Sequence, residues 1–197
     1  MKDLRIVKGQ EMRKKIIQTS IELLSNEGIE AISAQKIADA LKTSKSNLFH
    51  HFKSIDTILD AVFDTILSYM IDPITRFSFT SLEDLMVFIG NGIYNISDND
   101  RAVYIVTFQL YSISLYNTKY KTNLLKQKEK IIETIANELL KLSSANKEIC
   151  IIVAEMMLMT LDGYGLSALL DANNTHYQKL WEISTKHWCH LLGGTND

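Results

Sequence analysis

One proline, Pro73, and eight glycines punctuate 197 residues in which apolar side chains recur at helical spacing. That pattern leaves little from which to build a sheet. Strands need short alternating runs closed by turn residues, whereas the runs here are long and periodic at three and four. Apolar residues make up 46% of the chain, enough to fill a sizeable core. The expected class is all-α.

About nine helices follow from the stripes and their caps. The first is expected from about Gln10 to Asn26, with Ile17, Ile21 and Leu24 on one face and Gly28 as its stop. Ser33, Ser44 and Ser54 are placed to cap the second, third and fourth. The fourth carries Ile58, Leu59, Val62, Phe63, Ile66 and Met70 and is expected to end before Pro73. Ser81 with Asp84 reads as a capping box for a helix to about Ile96. Asp98-Asn99-Asp100 opens the next, which runs to about Tyr116 and is apolar nearly all round, so it is expected to be central and buried. Three longer helices are expected at about 122–142, 146–170 and 175–192.

The net charge of −2 conceals an asymmetry. Positions 1–15 hold six Lys or Arg, including Lys2 and Arg13, against two acids, and positions 33–53 hold four against one. A basic N-terminal part on an otherwise acidic chain suits local contact with a polyanion. Cys150 and Cys189 stand far apart in apolar surroundings and are expected as buried free thiols. No secretory signal is recognised, and the uncharged stretch Ala102–Tyr116 falls short of a bilayer. A cytoplasmic protein with no membrane partner is expected.

The segment Ser33–Phe52 reads as two short helices around a tight turn. Ile37, Ala38 and Leu41 give the first an inward stripe, and Leu48, Phe49 and Phe52 supply the second helix's core side. Its opening, Ser44-Lys45-Ser46-Asn47, is polar. A helix anchored at its far end, with donors and acceptors on its first turn, can read base edges in a major groove.

From Glu11 to about Ile66 the chain resembles the DNA-binding domain of the TetR family of one-component bacterial regulators. The residues that carry this are the apolar series of the first helix, Gly28, Ala31, Ser33, Ile37-Ala38, Leu41 and the run Ser44-Lys45-Ser46-Asn47-Leu48-Phe49-His50-His51-Phe52-Lys53-Ser54. Leu161-Asp162-Gly163 is a fainter echo. The resemblance implies a helix-turn-helix DNA-binding domain at 1–54 joined to a helical effector-binding and dimerisation domain at 55–197. It implies that helices near 146–170 and 175–192 pair with a second copy. Three positions depart from the pattern: Lys42 replaces the usual turn glycine, Phe49 a tyrosine whose hydroxyl meets phosphate, and Ile55 a lysine.

Carried over by position, Gln35, Lys45, Ser46 and Asn47 are candidate base readers. Asn and Gln pair with adenine, and Lys donates to guanine. Ser33, Thr43, Ser44 and Lys53 are candidate phosphate contacts, with His50 and His51 adding to the grip. Phe88, Tyr104, Phe108, Tyr111 and Met156 are expected around a hydrophobic effector pocket. Few charges fall on the expected inner faces, which favours a neutral or lipophilic effector. No nucleophile–base order, phosphate loop, carboxylate pair or metal-ligand spacing is present, so no enzymatic activity, cofactor or metal is expected. The function implied is a homodimeric, ligand-responsive repressor of a double-stranded DNA operator. The alternative is a helical ligand-binding or adaptor protein that has lost sequence-specific DNA binding.

Overall fold

The computed structural model describes residues 4–171 and 173–193, so Lys2 of the basic N-terminal run lies outside the described residues. Among these there are nine α-helices and no strand: α1 (Leu4–Glu27), α2 (Ala34–Ala40), α3 (Lys45–His51), α4 (Ile55–Arg76), α5 (Leu82–Tyr94), α6 (Asp98–Ser114), α7 (Thr118–Leu142), α8 (Lys147–Leu170) and α9 (Asn174–Leu191). A 3-10 turn at Ile29–Ala31 links α1 to α2. The expected stops and caps recur: Gly28 takes φ +84°, and Ser33, Ser44, Ser54 and Ser81 each accept a hydrogen bond from a first-turn backbone N–H.

Three buried clusters organise these helices. The first joins Ile16, Ile37, Leu48, Phe52 and Ile58 beneath α1–α4. The second joins Ile21 and Leu24 of α1 to Leu59, Val62, Phe63 and Ile66 of α4, Val106 and Leu110 of α6, and Tyr120 of α7. The largest lies among α4, α5, α7, α8 and α9 around Leu85, Ile93, Ile135, Leu139, Met157 and Trp181. Helix α4 threads all three, entering with Ile58 and ending with Ile71 and Ile74. Its 22 residues make a rod of about 33 Å.

Several expectations are corrected. Helix α4 does not stop before Pro73 but passes through it to Arg76. The ring removes one ladder bond near the helix end, while Ile71 and Ile74 continue the buried stripe on either side. The Ser81 box is one-sided, because Asp84 accepts from Thr80. The reciprocal boxes are Ser97 with Asp100 and Ser54 with Thr57. Helix α6 is central but only partly covered, with Val106, Leu110 and Ser114 fully buried. Val103 and Ile113 pack against the second cluster while only partly buried, and Val103 and Tyr104 also line a cavity. Both cysteines are free, Cys150 buried and Cys189 half-buried.

By length and apolar composition, α8 is the single described helix that could cross a membrane. Its Val153, Met157 and Leu161 are packed into the core, whereas Ile152, Met156, Met159, Leu166 and Leu170 lie on the exposed side. The helix is thus apolar on both faces with only one of them covered.

Candidate nucleic-acid interface and apolar cavity

Helix α3 is held by two residues one helical turn apart. Leu48 is fully buried and Phe52 is 3% exposed, both within the cluster beneath α1–α4. Phe49, expected to join them, is 43% exposed. One residue advances a helix by about 100°, so a side chain next to a buried leucine leaves the core face. Arg13 of α1 fastens the far end of α3, with its guanidinium 4.0 Å from the centre of the Phe52 ring and donating to the His51 carbonyl. In the sequence Arg13 stands out only as part of a basic run. No spacing rule marks a cation that reaches 38 residues along the chain.

The turn preceding α3 is built around Lys42, the single described non-glycine residue with positive φ, at +52°. The left-handed geometry usually given to glycine is thus adopted by lysine, at a cost of about 1 kcal/mol. Thr43 N–H closes the turn by donating to Ala38 O at 2.9 Å.

The candidate DNA-contacting residues fall into two groups. Gln35, Lys45, Ser46, His50 and Lys53 are exposed on α2, α3 and the segment after α3. Gln35 donates to Asp39 at 2.6 Å. The other group is already engaged. The Ser33 and Ser44 hydroxyls accept from Lys36 N and Asn47 N at 3.2 and 3.1 Å, each keeping a proton to donate outward. Asn47 is half-buried and donates its amide back to Thr43 Oγ1 at 2.9 Å, so it braces the turn instead of projecting from it. His51 is half-buried, with its pKa held below the ordinary imidazole value by burial and then by His50 and Arg13.

A cavity of about 390 Å³ lies among α4–α8. Met70, Ile74, Ile89, Ile131, Ile135 and Leu161 supply apolar walls, and Tyr69, Phe88 and Tyr104 supply aromatic ones. Two of the five expected pocket residues, Phe88 and Tyr104, line it. Tyr111 lies behind the wall, donating to both carboxylate oxygens of Asp162 at 2.9 and 3.0 Å. Phe108 sits between Tyr104 and Tyr111, with ring centres 6.5 and 5.8 Å away. Met156 belongs to another surface: it is 41% exposed and borders a groove between α5, α8 and α9. The helical phase that buries Val153 and Met157 turns Met156 outward. The expectation of few inner charges is also corrected, because Asp100 and Asp162 both line the cavity.

Residues 16–62 match the family described as "Bacterial regulatory proteins, tetR family". The tetracycline repressor protein class C of Escherichia coli is 32% identical over 56 residues, 28% of this chain and 26% of that protein. The chain thus aligns with about a quarter of the length of that curated relative. Likeness of fold extends much further. A transcriptional regulator from Rhodococcus sp. Rha1 superposes with a TM-score of 0.78 at 12% identity, over 90% of this chain and 96% of that one. A putative transcriptional regulator from Saccharomonospora viridis, solved in complex with choline, superposes with a TM-score of 0.76 at 18% identity, over 90% and 97%. The sequence match thus places residues 16–62, the helix-turn-helix, with the tetR family of bacterial regulatory proteins, and beyond it the fold alone is shared with these solved regulators along nearly the whole chain.

Proposed function

We propose that this protein is a cytoplasmic, homodimeric transcriptional repressor, released from a pseudo-palindromic operator by a small, mainly apolar effector. The observation that carries the reading is the anchoring of α3. Leu48 and Phe52 fix its C-terminal half, and the exposed Lys45 and Ser46 are left on its first turn. Such a helix can enter a major groove with Gln35 and Lys45 near base edges and Ser33, Ser44 and Lys53 at phosphates. His50 would add to the phosphate grip. Asn47 and Thr43 would hold the turn until DNA offers Asn47 a better partner. Residues 1–54 are the DNA-binding part in this reading and 55–197 the effector and dimer part.

The uncovered apolar faces of α8 and α9 support pairing with a second copy. Met159 is 71% and Leu170 83% exposed, with Ile183 and Leu191 about half exposed on the neighbouring helix. Two copies joined there would carry two α3 helices related by a two-fold axis, which calls for half-sites about one helical turn or multiples of it apart. Met159→Glu together with Ile183→Glu is expected to give monomers by light scattering. The cavity supports the effector, its volume being within the range of small-molecule sites.

The test is a salt-dependent gel shift on the promoter DNA beside the protein's own gene. Retention of that DNA over bulk DNA at moderate salt is the expected result. Equal binding of both would favour instead a helical ligand-binding or adaptor protein that has lost sequence-specific recognition, a reading to which Phe49 and Ile55 lend support.

A further inference from the structure

We propose that the cavity among α4–α8 takes an organic cation, an apolar body bearing one quaternary or protonated amine. The inference rests on the reading of this cavity as the effector site. The charged residues among its sixteen lining residues are two aspartates, with no Lys, Arg or His. An anionic effector would therefore meet carboxylates and no counter-charge.

The two carboxylates are differently placed. Asp162 is matched from behind the wall by Lys128 of α7, whose Nζ lies 2.9 Å from Oδ2 and 4.4 Å from the centre of the Tyr111 ring. Asp100 accepts from Ser97 N at 2.8 Å, Ser97 Oγ at 2.6 Å and the Tyr69 hydroxyl at 2.5 Å. Among the described residues it has no ion-pair partner. Hydrogen bonds hold this carboxylate in place without neutralising it, so the cavity keeps a net negative charge.

The fields of both acids meet at Tyr104. Its phenol is pushed well above the ordinary tyrosine value, first by burial and then by Asp100 and Asp162. The same field that opposes a phenolate there stabilises a cation. The Tyr104 hydroxyl is committed to Gly92 O at 3.1 Å, so its ring is what it offers an occupant. Tyr69 and Phe88 line the same space. Aromatic faces attract a cation and also accept the apolar groups around a quaternary nitrogen. A neutral apolar occupant would instead strip water from the Asp100 carboxylate and return nothing.

The experiment compares two probes of one shape by titration calorimetry on the full chain. They are benzyltrimethylammonium and its uncharged carbon isostere, neopentylbenzene. Wild-type protein is expected to bind the cation at least tenfold more tightly. Asp100→Asn and Asp162→Asn are each expected to lower cation affinity at least threefold and not to weaken binding of the isostere. The wild-type comparison stands whether or not either variant folds. Equal or tighter binding of the isostere would overturn the cation and leave the effector cavity standing. A cation preference that survives in two folded variants would overturn the assignment to these carboxylates. Binding of neither probe would bring down the reading of this cavity as the effector site, and the cation with it.

Discussion

The side-chain amide of Gln109 donates to the carbonyl oxygen of Leu24 across 2.8 Å, tying the middle of α6 to the last turn of α1. Earlier along α6, Asp100, Val103, Tyr104 and Thr107 line the cavity. Helix α1 in turn holds α3 through Arg13. The other Gln109 side-chain atom, Oε1, is buried without a hydrogen-bond partner. Gln109→Leu removes one bond, worth about 1 kcal/mol, and also one desolvated acceptor, which costs about 1–3 kcal/mol to bury. Stability in urea is therefore expected to change by less than about 2 kcal/mol. If α6 transmits cavity occupancy to α1, this variant should bind probe and DNA separately within threefold of wild type. It should, however, lose most of the effect of one on the other. Unchanged coupling, measured by DNA titration with and without probe, would remove Gln109 from that route.

Lys53 and Lys45 separate grip from reading. Lys53→Ala is expected to weaken binding to all DNA alike and to reduce the salt slope by about 1, as loss of one phosphate contact requires. Lys45→Ala should cost about 1–3 kcal/mol at the operator and little on bulk DNA. Fluorescence anisotropy over a salt series distinguishes them. Identical effects of the two variants would mean that α3 is docked differently. Asn47→Ala mixes two losses, since the side chain also bonds to Thr43.

His51 makes stability depend on pH in a defined direction. Its folded pKa lies below the ordinary value, with burial as the main cause and His50 and Arg13 adding to it. The unfolded chain therefore takes up the proton first as pH falls. Stability is fully present above the unfolded pKa, about 6.5, and declines as pH drops from there through the folded pKa. His51→Gln should flatten that part of the profile in urea titrations between about pH 5 and 7.5. An unchanged slope would assign it to other groups.

Gly90 lies where α5 meets α9. A Cβ at this position would intrude on the indole of Trp181, whose Nε1 donates to Met86 O at 2.9 Å. Gly90→Ala is expected to lose about 1–3 kcal/mol in urea unfolding, because a buried indole between two helices has no room to retreat. Gly92→Ala, with nothing within 4 Å of its Cβ position, serves as the control and should stay near wild type.

Much of this architecture was legible locally. Ser33, Ser44 and Ser54 cap the helices they precede, and Gly28 ends the first. Caps and stripes are short-range signals, satisfied within a turn or two of the residue that carries them. Reading failed where neighbouring residues in the chain serve opposite sides of a helix. Phe49 beside Leu48 and Met156 beside Met157 have the apolar character of core residues, and only the phase of the helix against its neighbours sends them outward. Pro73 is the converse case. A strong local breaker is overridden because Ile71 and Ile74 bury themselves on both sides of it.

The candidate site divides along the same line. The polar opening of α3 and its basic flank were visible in the residues themselves, since each depends on chain neighbours, whereas the unusual turn at Lys42 stood out only against the family pattern. The second layer was not: Arg13 stacked on Phe52, Gln109 hydrogen-bonded to the Leu24 carbonyl, and Asp100 and Asp162 brought to one cavity from 62 positions apart in the chain. Local sequence by itself determined where helices begin and which segment faces outward with donors, because those choices are made within a few residues. Tertiary structure alone decided which of two adjacent apolar side chains is core, and that the cavity carries negative charge. Both depend on helices brought together from distant parts of the chain, and no period or motif within one helix encodes what the next one presents.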